Sequence, residues 1–380
     1  MSLDSHSGRF SAPKADSEGK VSLIGMEMPQ LQELLVEEGL PKFRAKQLWN
    51  WIYHRGVKEF SSMENLPKDM RATLEEKYTI ARPKLVTEQR SGDGTIKWLL
   101  EMSDGQQVET VYIPEERRGT LCISSQVGCT LTCTFCHTGT QGLVRNLGAN
   151  EIVQQILYTR DILEEWPETG EKVIRNNREL TNIVMMGMGE PLYNYDNVAT
   201  ALKICMDDNG LNVSKRRITL STSGIIPQIE QCGRELEVNL AISLHAPNDE
   251  LRSKLMPINK KYPIAELLRA CREYPGVSEN RRITFEYIMI KDLNDTDSHA
   301  FELANILKGI PSKINLIPFN VWEGSDYETS SRGRVSSFAN ILERAGYEAP
   351  IRKPRGRDIS AACGQLKSDS IRAKRLRDDH

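Results

Sequence analysis

The sequence predicts an α/β protein whose main part is a parallel sheet or partial (β/α)6 TIM-like barrel, with a small helical N-terminal domain and a β-hairpin extension before it. Three observations predict this fold: helix-type apolar spacing before residue 80, two strand-type stretches between residues 95 and 114, and an alternation of strand-type and helix-type stretches from about residue 119. The predicted divisions are a flexible leader (1–26), a helical accessory domain (27–92), a β-hairpin linker (93–118), a barrel (119–348) and a C-terminal segment (349–380).

The N-terminal region is predicted to begin with a polar leader and to continue with three helices. The leader lacks the apolar h-region of a secretory signal. The stretches "MPQLQELLVEEG" and "PKFRAKQLWNWIYHRG" end at Gly39 and Gly56, which suit the left-handed position after a helix. The third predicted helix is "KDMRATLEEKY".

The next region is predicted to be a β-hairpin. The stretches "TIKWLLEM" and "QQVETVYIP" are strand-like, and a Ser-Asp-Gly turn joins them. Glu109 lies between apolar residues of the second strand. Side chains alternate along a half-exposed strand, so the sequence favours a solvated Glu109, although a carboxylate that faces an active site would be a candidate base.

Six strand-type stretches then alternate with helix-type stretches. The strands are predicted in "TLCISS", "TNIVMMG", "RRITLST", "VNLAISLH", "RITFEYIMI" and "SKINLIPF", and the helices in "ANEIVQQILYTRDILEEW", "NYDNVATALKICM", "IAELLRACREY" and "AFELANILKGI". Parallel sheets bind ligands at the C-terminal ends of their strands. The candidate functional motifs follow these strand ends. They are three cysteines after the first strand, residues 187–191 after the second, residues 221–224 after the third, His245 after the fourth and Asn320 after the sixth.

Composition restricts the kind of protein. The chain is 39% hydrophobic and 27% charged, with a net charge of −2, which argues against nucleic-acid binding by the whole surface. No apolar run is long enough to span a membrane. Basic side chains nevertheless cluster locally, at Lys42, Lys46 and Arg55 in the second predicted helix, where we expect them to be exposed and Trp51 and Ile52 to be buried.

The eight cysteines fall into different classes. Cys129, Cys133 and Cys136 have the spacing C-x3-C-x2-C and lack a second pair that would complete a four-ligand zinc site. Spacing alone leaves open both a zinc site and an iron–sulfur cluster with one open iron. Cys205, Cys232 and Cys271 stand alone in apolar or helical stretches and are predicted to be buried hydrophobic residues.

The other motifs also have two interpretations each. The glycines of "GMGEP" permit a tight turn or the close approach of a ligand, and Glu190 is suited to bind an amine. Ser221, Ser223 and His245 at strand ends are suited to cap the following helices or to line a site. Cys363 in "AACGQL" is either a buried structural thiol or a reactive one.

Together these motifs resemble a known family. C-x3-C-x2-C after the first barrel strand, followed by a GEP turn after the second, is similar to the radical S-adenosylmethionine superfamily. The combination of "QVGCTLTCTFCHTGTQGLVRNL", "MMGMGEPL", "RRITLSTSG", "AISLHAP", "LIPFN" and "AACGQL" narrows the resemblance to the RNA adenine-C2 methyltransferases, over about residues 28–367. The resemblance implies a radical S-adenosylmethionine barrel.

The resemblance implies a role for each motif. Cys129, Cys133 and Cys136 would hold a four-iron, four-sulfur cluster, and two molecules of S-adenosylmethionine would be used per turnover. This cofactor would be bound by Gly189, Glu190, Ser221, Ser243, Leu244, His245 and Asn320. Cys363 would accept the methyl group, Glu109 would accept the proton from the base, and Cys122 would release the covalent protein–RNA intermediate by forming a disulfide with Cys363.

The resemblance also implies a function and partners. The reaction would be methylation of carbon 2 of adenosine, in the peptidyl-transferase region of 23S rRNA and 3′ to the anticodon in tRNA. An electron donor such as flavodoxin and its reductase would be needed, and the protein would be a cytoplasmic monomer with no membrane association. The basic helix at 42–55, together with Lys215, Arg216 and Arg217, would contact RNA phosphates. Methylation of carbon 8 of the same rRNA adenosine, or a non-catalytic metal-bearing RNA-binding module, remain the alternatives.

Overall fold

The structure is a computed structural model, and it describes residues 15–16, 18–167 and 178–368. Predictions for most of the leader, for most of the polar segment around 166–179 and for the end of the basic tail lie outside the described residues. Among the described residues, no helix has both the length and the apolar character needed to cross a membrane.

The described residues form ten α-helices and thirteen strands. The helices are α1 Met28–Glu37, α2 Arg44–Trp49, α3 Lys68–Lys77, α4 Ala149–Ile162, α5 Tyr195–Met206, α6 Ile226–Glu235, α7 Asp249–Leu255, α8 Ile264–Glu273, α9 Asp297–Ile306 and α10 Arg332–Arg344. The strands are β1 Val21–Ser22, β2 Tyr78–Thr79, β3 Lys84–Arg90, β4 Ile96–Glu101, β5 Gln107–Glu115, β6 Arg118–Cys122, β7 Gln126–Gly128, β8 Leu143–Asn146, β9 Leu180–Met185, β10 Ile218–Thr222, β11 Asn239–Ser243, β12 Ile283–Met289 and β13 Ser312–Pro318.

One nine-stranded sheet organises the molecule, in the order β13-β12-β11-β10-β9-β6-β5-β4-β3. Its six strands from β6 to β13 pair in parallel, which confirms the predicted (β/α)6 arrangement. Strands β3, β4 and β5 continue the same sheet with antiparallel pairing. The partial barrel and its extension are therefore one continuous sheet.

The sequence analysis missed part of the extension. The predicted hairpin is present as β4 and β5, but residues 84–90, assigned to the helical domain, form the edge strand β3. Every residue of β3 is exposed, so its sequence "KLVTEQR" lacks the apolar alternation that identifies a half-buried strand. The extension is consequently a three-stranded antiparallel sheet.

The end of the predicted leader belongs to the folded structure. Strand β1 pairs in parallel with β2, and Leu23, Ile24 and Met26 are buried in the main core. Burial of these apolar side chains stabilises the fold, and a flexible leader would lack this contribution. The predicted second helix is likewise more complex, because α2 ends in a π-helical turn at Asn50–His54.

The N-terminal helical region is fastened to helix α4 of the barrel. The backbone at Gly25 passes so close to α4 that a Cβ there would lie 2.3 Å from the nitrogen of Asn150. The Gly25 amide donates to the Tyr53 hydroxyl at 2.9 Å. Arg82, with a buried side chain, donates to Asp161 of α4 at 2.9 Å.

The inner face of the barrel carries polar side chains among apolar ones. On β13, Ile314 and Leu316 belong to the hydrophobic core, whereas Asn315 and Ile317 line a cavity inside the barrel. Thr120 of β6 and Thr284 of β12 line the same cavity. The period-2 alternation of the strands thus places one set of apolar residues against the helices and turns the alternate residues, several of them polar, toward the cavity.

Candidate active site

Two adjoining cavities lie inside the partial barrel, and Cys363 lines both of them. The first, of about 160 Å³, lies where the parallel strands end and includes Cys136, Glu190 and His245 in its wall. The second, of about 240 Å³, extends along the inner face of the strands. Besides Cys363, the two cavities share the side chains of Met186, Glu286 and Ile317.

The three clustered cysteines lie in the loop that follows β7. Two hydrogen bonds shape this loop: the Cys129 amide donates to the Gly142 carbonyl at 3.2 Å, and the Cys136 amide donates to the Cys133 carbonyl at 3.2 Å. The Leu131 amide donates to the Cys129 sulfur at 3.4 Å. Burial raises the pKa of all three thiols, and the neighbouring cysteines add to this at Cys129 and Cys133.

The geometry of these thiols fits a cluster better than a single ion. Among the residues that the structure describes, no group of three His, Cys, Asp or Glu side chains is arranged to hold one metal ion. In a four-iron cluster each iron takes its own thiolate, so three ligands need only be neighbours. Backbone N–H groups at Leu131 and Gly139 are directed at the Cys129 and Cys136 sulfurs, as suits negatively charged thiolates.

The turn after β9 places Glu190 at the wall of the first cavity. Glu190 is buried, and its two carboxylate oxygens accept from the backbone amides of Leu192 at 3.0 Å and Ser223 at 2.7 Å. Burial raises its pKa. A carboxylate has further lone pairs beyond these two bonds, so Glu190 retains capacity to accept from an amine in the cavity.

Gly189 is required by a close approach of two chain segments. Its φ is +100°, and a Cβ at this position would lie 2.5 Å from the Cβ of Gln126. Gln126 in turn accepts from the Glu190 amide at 3.0 Å and from the Thr130 amide at 3.1 Å. Gln126, which the sequence analysis did not single out, therefore joins the GEP turn to the cysteine loop.

Most of the predicted cofactor residues lie at the first cavity. Its wall contains Gly189, Glu190, Ser221, Ser243 and His245. Leu244 is fully buried between Ser243 and His245 and does not line the cavity, and its amide donates to the Glu286 carbonyl. Asn320 lines the second cavity instead, donates to the Cys363 carbonyl at 3.3 Å, and has a buried Oδ1 without a hydrogen-bond partner.

His245 is held as a neutral imidazole. Its Nδ1 accepts from the Ile288 amide at 3.1 Å, so in the neutral ring the proton is on Nε2. Burial lowers its pKa to about 3, and the positive charge of Arg252 contributes. The backbone of His245 has a φ of +60°, an unusual conformation for a non-glycine residue at the end of a strand.

Arg252 is a structural residue of the site that the sequence analysis did not identify. Its side chain is fully buried. It donates to the backbone carbonyls of Ser223 at 2.7 Å, Ser243 at 3.1 Å and Leu244 at 3.2 Å. Arg252 thus fixes the ends of β10 and β11 relative to each other.

The loop that carries Cys363 is held from several sides. The His137 amide donates to the Gly364 carbonyl at 2.8 Å, and the Thr138 hydroxyl donates to the Leu366 carbonyl at 2.7 Å, so the cysteine loop contacts it directly. Gln365 donates to the Val321 carbonyl at 2.9 Å. His137, to which the sequence analysis assigned no role, also stacks on Trp322 with ring centroids 4.6 Å apart.

Cys122 and Cys363 are neighbours. Both line the second cavity, and the charge of Cys363 contributes to the raised pKa of Cys122, although burial is the main cause. Cys363 is exposed at the cavity wall, and partial loss of hydration there raises its pKa. All eight cysteines are free thiols, so the expected disulfide is not a feature of this structure. The three isolated cysteines are buried, as predicted.

Glu109 is buried rather than solvated, which corrects the expectation from strand alternation. Strand β5 has neighbours on both sides in the sheet, and both of its faces are covered. The Glu109 carboxylate pairs with Lys97 at 2.9 Å and accepts from the Lys367 amide at 2.6 Å. Burial raises its pKa, and Lys97 opposes this. Glu109 does not line either cavity wall.

The basic and aromatic segment at 42–55 is partly as predicted. Lys42 and Lys46 are exposed and Ile52 is fully buried. Trp51 is half-buried, since its indole N–H donates to the Asn65 side chain at 2.6 Å at the surface. Arg55 is also half-buried, with its guanidinium 5.1 Å from the centre of the Trp51 ring.

Family comparisons agree with this geometry. The radical SAM superfamily matches residues 123–304, and the ribosomal RNA large subunit methyltransferase N-terminal domain matches residues 21–80. The second match covers the helical region that packs on α4, and the first covers the cysteine loop and most of the barrel.

Close relatives extend over nearly the whole chain. The dual-specificity RNA methyltransferase RlmN of Sinorhizobium fredii is 60% identical over 370 residues, which is 94% of this chain and 90% of that protein. The protein of the same name from Rhodospirillum rubrum is 57% identical and covers 97% of this chain and 87% of its own length. A radical SAM methyltransferase structure from Sphaerobacter thermophilus is 44% identical, with a TM-score of 0.84 over 91% of this chain and 99% of its own.

Proposed function

The chain belongs to the family of dual-specificity RNA methyltransferases named RlmN, within the radical SAM superfamily, and we propose that it methylates carbon 2 of adenosine in 23S rRNA and in tRNA. The proposed targets are an adenosine of the peptidyl-transferase region and the adenosine 3′ to the anticodon. The observation that carries this proposal is the position of Cys363, which lines the cavity beside the cysteine loop and also the second cavity that Cys122 lines.

Carbon 2 of adenine explains why both cavities are needed. This ring carbon has little nucleophilicity, so direct displacement of a methyl group from a sulfonium would fail. When bound, the iron–sulfur cluster and S-adenosylmethionine supply the one-electron chemistry that this carbon requires. The residues that would hold the cluster are Cys129, Cys133 and Cys136. Those that would hold the cofactor are Gly189, Glu190, Ser221, Ser243 and His245 of the first cavity, with Asn320 from the second, while the buried Leu244 would act only by positioning Ser243 and His245.

Three side chains would perform the steps at the RNA. Cys363 carries the methyl group to the target base, because it reaches both cavities. Glu109 accepts the proton lost from carbon 2. The raised pKa of Glu109 is closer to the operating pH, which suits a general base. To act, its carboxylate must first break the hydrogen bond that it accepts from the Lys367 amide.

Cys122 would complete the turnover. Its thiolate attacks the sulfur of Cys363, and a Cys122–Cys363 disulfide forms as the bond between that sulfur and the methylene carbon on the RNA breaks. The electron pair of the broken bond stays on the carbon side, which takes up a proton and becomes the methyl group on carbon 2. The free thiols of the structure correspond to the reduced enzyme. A thiol reductant must restore them after each cycle, since the disulfide keeps two electrons fewer than the two thiols.

Mass spectrometry of nucleosides tests the function. The reconstituted protein, with S-adenosylmethionine, a reductant and an RNA hairpin that carries the target adenosine, is expected to give 2-methyladenosine. A product that is only 8-methyladenosine would support the alternative reaction at carbon 8. Stoichiometric zinc without iron after anaerobic reconstitution would contradict the cluster and favour a non-catalytic RNA-binding module.

Further parts of the proposal concern partners. A low-potential donor such as flavodoxin with its reductase supplies electrons to the cluster, and the protein acts as a cytoplasmic monomer. The exposed Lys42 and Lys46 of the N-terminal region contact RNA phosphates. Light scattering after size-exclusion chromatography tests the monomer, and a dimeric mass would contradict it.

A further inference from the structure

The second cavity runs from Cys363 to an exposed basic rim, and we propose that the target adenine enters the barrel through this rim. The inference rests on the proposed function and adds the location of the RNA strand. The cavity is the site of the flipped base, and the basic rim binds the phosphates that flank it. The rim consists of Arg118, Arg352, Lys353 and Arg355.

The two ends of the cavity differ in exposure. Arg118, Arg352 and Lys353 at the outer end are exposed, and Arg355 is half-buried. Cys363 lies at the inner end, where the cavity meets the first one, and Cys122 lines the second cavity. A base that entered from the rim would therefore reach the methyl-carrying sulfur without passing through the cofactor cavity.

The charges at the rim are only partly neutralised. Arg118 pairs with Glu115, and Arg355 lies 3.8 Å from Asp93. Arg352 and Lys353 form no ion pair within 4 Å among the described residues, although the charge of Arg352 acts on the carboxylates of Glu115 and Glu286. Positive charge that is exposed and unpaired beside a cavity is suited to RNA phosphates, because binding releases counterions.

The size and polarity of the cavity match one purine. Its volume of about 240 Å³ lies below the roughly 300–1,000 Å³ of pockets for drug-sized ligands, so a single base fits better than a whole nucleotide. Asn315, a buried residue of the wall, has an Oδ1 without a hydrogen-bond partner, while its Nδ2 donates to Glu286 at 2.8 Å. A free acceptor in the wall suits the exocyclic amine of adenine.

The rim is distinct from the basic segment of the N-terminal region. Lys42 and Lys46 lie on a different domain and do not line either cavity. Lys42 and Lys46 are suited to bind RNA phosphates far from the reacting nucleotide, whereas the rim positions the nucleotide that reacts. Sequence analysis did not identify the rim, because Arg118 and residues 352–355 are far apart in the chain.

Salt-dependent RNA binding tests the rim. The full chain binds a labelled RNA hairpin with the target adenosine in its loop, and the dissociation constant is measured by fluorescence anisotropy between low and moderate KCl. For the double variant Arg352→Gln/Lys353→Gln we expect weaker binding and a slope of log Kd against log salt that is smaller by about 2, one for each lost phosphate contact. Thermal unfolding shows whether the variant is folded.

Lys308→Gln is the matched control. Lys308 is exposed at the end of α9, away from both cavities, so its replacement is expected to leave affinity and slope unchanged. Wild-type affinity and slope in a folded rim variant would overturn the inference, as would an equal loss in the control. If the wild-type protein forms 2-methyladenosine and the rim variant binds RNA as tightly as the wild type, only the rim inference fails. If the wild-type protein forms no 2-methyladenosine, the proposed function fails.

A modified RNA tests the base site. The same hairpin with purine riboside at the target lacks the exocyclic amine that would donate to Asn315 Oδ1. Methylation is expected to fall by roughly fivefold or more, because a buried acceptor is left unpaired. An undiminished rate would contradict the assignment of Asn315 to this amine.

Discussion

At the scale of single residues, burial changes what the sequence leads one to expect. A carboxylate in an alternating strand is predicted to be solvated, yet Glu109 is buried because β5 lies between β4 and β6 in the sheet and both of its faces are covered. The surroundings of Cys363 were equally hard to predict from the sequence. Only the fold brings it beside the cysteine loop and beside Cys122, which lies 241 positions earlier in the sequence. The motif residues were predictable from the sequence, but their neighbours were not.

Replacement of Cys363 tests its proposed role as the methyl carrier. Cys363→Ala is expected to abolish 2-methyladenosine and to leave the iron content unchanged at about four per chain, since Cys363 is not a cluster ligand. Product is measured by mass spectrometry of nucleosides, and iron by colorimetric assay. Normal turnover by this variant would contradict the role.

Replacement of Cys122 is expected to have a different effect. Cys122→Ala retains the methyl carrier and lacks the thiol that releases it, so protein covalently joined to RNA should accumulate on a denaturing gel. The double variant Cys122→Ala/Cys363→Ala is the control and should form no such band. Free product at the wild-type rate from Cys122→Ala would exclude the resolving role.

Lys97 is expected to set the pH dependence through Glu109. Burial raises the pKa of Glu109, and the ammonium of Lys97 at 2.9 Å lowers it again. A base acts only when ionised, so the rate should fall as the pH decreases through this pKa. Lys97→Met removes the lowering charge, which moves the acid limb of the pH–rate profile to higher pH.

The conservative variant separates charge from packing. Lys97→Arg keeps a positive charge beside Glu109 and should have an acid limb close to that of the wild type. Profiles of kcat/KM for the three proteins provide the measurement. Identical limbs in the wild type and in Lys97→Met would mean that Glu109 is not the titrating base.

At the scale of elements, hydrophobic periodicity predicted the barrel well. Four of the six parallel strands lie within the stretches that their apolar runs indicated, while β6 begins two residues earlier, at Arg118, and β9 one residue earlier, at Leu180. These runs were recognisable because strands covered by helices are apolar on their outer face. Strand β3 was missed, because all of its residues are exposed. Helices α6, α7 and α10 lie outside the helical stretches named from the sequence.

The turn after β9 makes a specific prediction about glycine. Gly189→Ala would place a Cβ 2.5 Å from Gln126 Cβ in addition to the strain of a φ of +100°. The displaced turn would move Glu190, so both stability and affinity for S-adenosylmethionine should fall. Calorimetric titration and urea unfolding measure the two effects.

Gly309→Ala is the matched control for this turn. Gly309 also has a positive φ, of +77°, but no atom lies within 4 Å of a Cβ there. The control should lose about 1–2 kcal/mol from backbone strain alone and should keep its cofactor affinity. Equal losses of stability in both variants, with cofactor affinity retained, would show that contact with Gln126 is unimportant.

At the scale of the whole molecule, the order of elements was predictable and their association was not. The sequence indicates a helical region, an extension and a barrel, but it does not indicate that β3–β5 continue the barrel sheet. The sequence also gives no sign that the loop carrying Cys363 reaches the barrel interior, where Cys363 lines two adjoining cavities. Both features depend on contacts between residues that are distant in sequence.

The joint between the N-terminal region and the barrel depends on a buried ion pair. Arg82 and Asp161 are 2.9 Å apart, with side chains only 7% and 5% exposed. Arg82 also donates to the Gly56 carbonyl at 3.0 Å, and Trp166 donates to Asp161 at 2.6 Å. Burial lowers the pKa of Arg82, and the opposing charge of Asp161 raises it.

Arg82→Met should therefore weaken the whole molecule. It leaves Lys58, 3.4 Å away and mostly exposed, as the remaining counter-ion of the buried Asp161 carboxylate, so the free energy of unfolding should fall by about 1.5–3 kcal/mol. Lys254→Met is the control, because its pair with Glu250 is exposed on the surface of α7 and should contribute little to stability. Urea unfolding of both variants measures the difference. If Arg82→Met costs no more than Lys254→Met, the pair does not hold the two regions together, and the close packing of Gly25 on α4 must suffice.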